Sequence, residues 1–149
     1  MPNYQSLVVT VGRNVGNEPL GFDRWHDYQQ AIRLALAEIP DSFFTVDGNT
    51  GVGFWNDVVE DNCVFVVLVP APTTAEEAQA SSNTGRLLSC ALAHAAFDFG
   101  QEAVAVTGGL SYLVPAHEDG IRVIAREGDD EITAFLAAQA EEGHNEGDV

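Results

Sequence analysis

Few side chains in this chain could do chemistry, and the most conspicuous of them stand at the end of an apolar run. The stretch VTVGRNVGNEP places Arg13, Asn14, Gly16 and Asn17 directly after Val-rich sequence. Successive backbone N–H groups in a Gly-rich turn can cradle an anion, and Arg13 could clamp a phosphate or carboxylate through two hydrogen bonds. A helix beginning just beyond would add positive potential. The pattern is neither a Walker loop nor GxGxxG. The same residues also suit a plain turn, with Arg13 paired to Glu18 or Asp23. A second cluster is FGQEAVAVTGG, where Thr107 and two glycines end a strand. If that strand lies beside the first, Thr107 and Arg13 converge on one ligand, and Arg86 completes the pocket. Trp55, beside a turn, and Tyr112 are the candidate stacking rings for a base. Trp25 falls on the inward stripe of a helix and reads as core. The candidate ligand-binding set is therefore Arg13, Asn14, Asn17, Trp55, Arg86, Thr107 and Tyr112.

Catalytic signatures are absent. The histidines at 26, 94, 117 and 144 make no HxH or HExxH spacing, so no metal site is expected. Ser89 and Ser111 lack the GxSxG context. Asp129 and Asp130 suit the start of a helix better than acid–base work. Cys63 and Cys90 sit in apolar surroundings without a CxxC partner and read as small core residues. No cofactor is implied.

Composition limits the partners. The chain has 149 residues, 46% of them apolar, six arginines, no lysine and a formal charge of −17. This opposes binding to nucleic acid or anionic lipid, which needs cations. The longest apolar run, CVFVVLVPAP, is too short to cross a bilayer, and the N-terminus lacks a signal-peptide pattern. A cytoplasmic protein is expected. The acidity fits a GC-rich genome, high salt, or an acidic surface that imitates DNA.

These residues must be positioned by the elements around them. Residues 5–13 read as a strand and 14–21 as a loop. Trp25, Tyr28, Ile32, Leu36 and Ile39 mark a helix ended near Pro40. A strand over 42–47 should turn at DGNTG, with a further strand-like excursion, a second turn at EDN, and a buried strand CVFVVLV. Thr74 and Glu77 form a capping box, Ser81 to Gly85 should interrupt or re-cap the helix, and RLLSCALAHAAFDF is the second main helix, capped by Gly100. EAVAVTGG is the next strand. Two more strands around EDG, a helix over 129–140 and an acidic tail over 141–149 follow. The expected fold is α+β: a ferredoxin-like split βαββαβ sheet, two main helices on one face, a C-terminal hairpin and helix extension, in one domain over 1–140. Homo-oligomerisation would cover the second face or an edge strand.

VTVGRNVGNEPLGFDRW and FDFGQEAVAVTGGLSYLV are similar to segments of small proteins encoded by phages of GC-rich bacteria. They are more remotely similar to a bacterial ferredoxin-like family without an assigned chemistry. The resemblance spans about residues 5–113 and implies a fold more than an activity. With the motifs above it leads to an expected non-catalytic binder of a small anionic, nucleotide-like ligand, a sponge for a host immune signal. The alternatives are an acidic interaction module or DNA mimic, and a small phosphodiesterase or isomerase using His26 or His117.

Overall fold

The computed structural model describes residues 3–108 and 110–120. Strand β1 (Tyr4–Gly12) is followed by a short hairpin, β2 (Asn14–Val15) and β3 (Glu18–Pro19), then helix α1 (Phe22–Ala37). Strands β4 (Phe43–Trp55) and β5 (Val58–Pro70) form a long hairpin, and helix α2 (Ala75–Asp98), β6 (Ala103–Gly108) and β7 (Leu110–Pro115) complete the described chain. The main sheet is antiparallel in the order β4-β5-β1-β6-β7. Its first four strands with the two helices are the split βαββαβ arrangement, an α+β fold of the ferredoxin-like kind, with β7 added beside β6.

Alternation decides the faces. In β1 and β5, Val9, Val11, Cys63, Phe65 and Val67 are buried, and in β6 Val104 and Val106 join them. They meet the stripes Trp25, Tyr28, Ile32, Leu36 and Leu88, Leu92, Ala96 of α1 and α2 in one core. The residues between them, such as Thr10, Asn62, Val64 and Ala105, point to the helix-free face and are only partly buried.

Four local expectations are corrected. The loop over 14–21 contains a hairpin, because Gly16 takes φ 62° at the first turn position, as a two-residue turn of type II′ requires. The DGNTG segment does not turn: β4 runs through it with register shifts near Val46 and Asn49, and Gly48 absorbs the bulge with φ 82°. The EDN segment lies inside β5. The real turn is Asn56-Asp57, whose φ values of 50° and 63° make it type I′. Helix α2 is continuous through Ser81 to Gly85: caps at both ends and the packing of Leu88, Leu92 and Ala96 into the core outweigh the low helix propensity of Ser, Asn, Thr and Gly.

Those caps match the sequence. Thr74 Oγ1 accepts from the Glu77 N–H at 3.1 Å. The Glu77 carboxylate takes the Thr73 N–H and hydroxyl, both at 2.7 Å, and these bonds hold it below the usual carboxylate range. At the other end Gly100 has φ 71°, with Gly100 N donating to Phe97 O and Gln101 N to Ala96 O, a Schellman motif. Both cysteines are free thiols. The expected strand after EDG, the helix over 129–140 and the tail lie outside the described residues.

Candidate functional site

A cleft of about 280 Å³ opens on the helix-free face, at the end of the sheet where β1 stops and β6 starts. Its floor is Thr10 and Gly12 of β1, Asn62 of β5 and Ala105 of β6; one wall is the β4–β5 hairpin tip with Trp55; the other is Gly100 to Glu102 between α2 and β6. Asn14, Gly16 and Asn17 close the rim.

The hairpin must bend to make this wall. Trp55 Nε1 donates to Glu102 Oε2 at 3.2 Å. In the sheet β4 and β6 are separated by β5 and β1, three spacings or roughly 14 Å. The contact exists because the long hairpin curls over the helix-free face, helped by the bulges in β4 and by Gly51 and Gly53, which face Asn62.

Glycines also make room for the polar groups. A Cβ on Gly12 would collide with the Glu60 carboxylate, so this glycine lets the carboxylate lie against the backbone of β1. Asn14 N donates to Glu60 Oε2 at 3.0 Å and holds it there. The Asn62 amide is fitted in the same way: a Cβ on Gly51 or Gly53 would stand 2.8 or 2.7 Å from its terminal atoms. Tyr28 lies beneath this region, fully buried, its hydroxyl without a partner and its pKa raised by burial and then by the charge of Glu60.

Of the residues singled out in the sequence, Asn14, Asn17 and Trp55 line the cleft. Arg13 does not. Its Nε donates to Leu20 O at 2.8 Å and its Nη1 to Asp61 at 3.2 Å, so it ties the base of the β2–β3 hairpin to β5. Thr107 pairs with Val8, whereas Thr10 pairs with Ala105. The expected neighbouring strand is therefore correct and the expected end is not. The two strands are antiparallel, so the end of β1 meets the start of β6. Arg86 lies within α2, away from the lining, and Tyr112 is on β7 opposite Val106. His26 is exposed on α1, and His117 accepts the Asp119 N–H in the turn after β7.

Glu60, Asn62, Gln101 and Glu102 were not among the expected site residues. Glu60 and Asn62 stand in a segment that resembles a turn in sequence. Their signal was alternation: they continue the parity of Val64 and Val66, the face opposite to the buried Cys63, Phe65 and Val67 of β5. The cleft thus contains two carboxylates, an indole and several amides. No Arg or His lines it among the described residues, and no group of metal-ligating side chains is found there or elsewhere among them. Such a lining disfavours an anion and suits a ligand carrying positive charge beside an aromatic or heteroaromatic ring.

No protein-family model matches the chain, and no curated protein matches it in sequence. Two solved structures are similar to it. One is a phage SAM lyase in complex with S-methyl-5′-thioadenosine, at 21% identity over 78% of this chain and 92% of that chain, with a TM-score of 0.45. The other is a phage SAM lyase in the apo state, at 23% identity over 76% and 90%, with a TM-score of 0.38. The expectation of a non-catalytic binder of an anionic ligand is corrected on two grounds. The cleft presents carboxylates where an anion would need cations, and both similar structures are of an enzyme. Among the described residues no helix is long and apolar enough to cross a membrane.

Proposed function

We propose that this cleft binds S-adenosylmethionine and cleaves it as a lyase. The observation that carries the reading is the pairing of Glu60 and Glu102 with Trp55 in a cleft that no described cation lines. S-adenosylmethionine joins a sulfonium cation to an adenine nucleoside. Carboxylates attract the cation, and the indole offers a face to the ring or to the charge. The names of the similar structures agree with that chemistry.

The reaction asks little of the protein beyond placement. A sulfonium leaves as a neutral thioether, taking the electron pair of the broken C–S bond, so no acid is required. In an elimination the aminobutyrate fragment gives the proton on the carbon next to the C–S carbon to a base, the C–H electron pair becomes the new C=C bond, and a carboxylate can accept that proton. Glu60 suits that role, since Asn14 N–H occupies one of its oxygens and fixes the other. Glu102, bonded to Trp55, sets the charge at the opposite wall. Asn14 and Asn17 remain polar contacts on the rim.

The resemblance to phage-encoded proteins supports action in the cytoplasm of an infected host. Partly buried Val64, Val66 and Leu68 on the helix-free face support self-association, which sedimentation would read.

The test is incubation of the purified protein with S-adenosylmethionine and chromatography of the products. S-methyl-5′-thioadenosine should accumulate as the substrate disappears, and Glu60→Gln should abolish this. An intact substrate after prolonged incubation would refute the reading.

A further inference from the structure

Gln101 is buried where a polar residue is not expected. It occupies the second position after the cap of α2, in a Schellman motif that commonly places an apolar residue there to pack on the last turn. The residue is only 8% exposed, yet it lines the cleft. Its Nε2 has no hydrogen-bond partner. A buried donor left unpaired is unfavourable and rare, and ligand binding is one way to satisfy it. The backbone of Gln101 is tied down by its bond to Ala96 O at 2.8 Å. The carboxamide thus stands on a rigid backbone, with Nε2 turned away from solvent, and a rotation of the side chain brings it to the cleft.

The surroundings select what this donor meets. Glu102 follows it in sequence and Glu60 lines the same cleft, so a ligand carboxylate at Gln101 would face two negative charges. A neutral acceptor is favoured. Trp55, bonded to Glu102 at 3.2 Å, supplies an aromatic ring beside it. Ring and donor together are the two elements that recognise a nucleobase, one by its face and one by its edge.

We infer that Gln101 is the specificity-determining residue of the cleft, its Nε2 donating to a ring nitrogen of a purine stacked near Trp55. The inference rests on the nucleoside reading of the site above and adds which part of the ligand is read and by what.

The experiment measures binding by calorimetry, with S-methyl-5′-thioadenosine as the probe and its 1-, 3- and 7-deaza analogues as controls. In the native protein one deaza analogue should bind about tenfold more weakly than the parent, the measure of one buried hydrogen bond. Gln101→Met should weaken the parent by the same factor and should not distinguish parent from that analogue. A purely structural role for Gln101 would weaken all four compounds alike. If the native protein binds the parent but all three analogues equally well, the inference is overturned and the functional reading stands. If Gln101→Met, folded by circular dichroism, binds the parent as the native protein does, the result is the same. If the native protein binds neither the parent nor S-adenosylmethionine, both fall together.

Discussion

Glycine 12 and Glu60 form the most specific pair in the site. The carboxylate lies in space that only a glycine leaves open, and Asn14 N–H fixes it there. Gly12→Ala should therefore push the Glu60 side chain away. The atoms in collision are the far end of a flexible side chain, so the fold should tolerate the change. The expected outcome is a fall in turnover of about a hundredfold, within the range for losing a positioned acid–base group, with a nearly unchanged melting temperature. Steady-state kinetics and a thermal scan on the same sample check both halves. Trp55→Phe keeps a ring but loses the bond to Glu102. It should raise KM more than it lowers kcat, whereas Trp55→Ala should weaken binding by about 1–3 kcal/mol if the ring stacks on a base. Neither carboxylate nor Gln101 was read as a site residue from the sequence: alternation can place Glu60 on a face, but nothing local says which distant residues will share it. The placement of Asn14, Asn17 and Trp55 at turns, where they line the cleft, was legible, since turn chemistry and an aromatic beside a turn are local signals.

At the scale of elements, legibility followed the range of the interaction. The first helix and both caps of α2 could be read, because periodicity and capping are written within a few residues. The long hairpin could not. Its DGNTG segment has turn composition, and only pairing with β5 across the sheet draws it into a strand with bulges. The true turn, Asn56-Asp57, lacks the glycine that type I′ favours. Asp57→Gly should stabilise the hairpin by roughly 0.5–1 kcal/mol, seen as a shift in the urea midpoint without a change in slope. Thr74→Ala should destabilise by about 1 kcal/mol through loss of the Glu77 N–H contact, with activity unaffected. The convergence of Thr107 with Arg13 was misread for a related reason: strand adjacency can be guessed from element order, but the end at which two strands meet depends on their direction.

For the whole molecule, the alkaline limit of stability should come from the core. Burial, with the nearby charge of Asp47 as a smaller cause, pushes the Cys63 thiol from an ordinary value of 9.0 up to about 11. The folded form therefore favours the neutral thiol. That contribution is fully present below pH 9 and is lost as pH rises through about 11. Urea midpoints should fall across this window, and Cys63→Val should flatten the fall in part, leaving the contribution of Tyr28, which is shifted in the same direction. A formal charge of −17 should also make the native protein more stable in moderate salt than in its absence, since screening relieves self-repulsion.

The strands carry the core on one side and the cleft on the other, so each floor residue has a core residue as its immediate neighbour: Gly12 follows Val11, and Asn62 precedes Cys63. Along β1 and β5 heritable change can then act on two nearly separate alphabets. Substitutions at alternate positions can retune what is bound while the intervening letters keep the chain folded. A library confined to positions 10, 60 and 62 should yield mostly folded proteins with diverse ligand preference, and one confined to 9, 11, 63 and 65 should yield mostly unfolded ones.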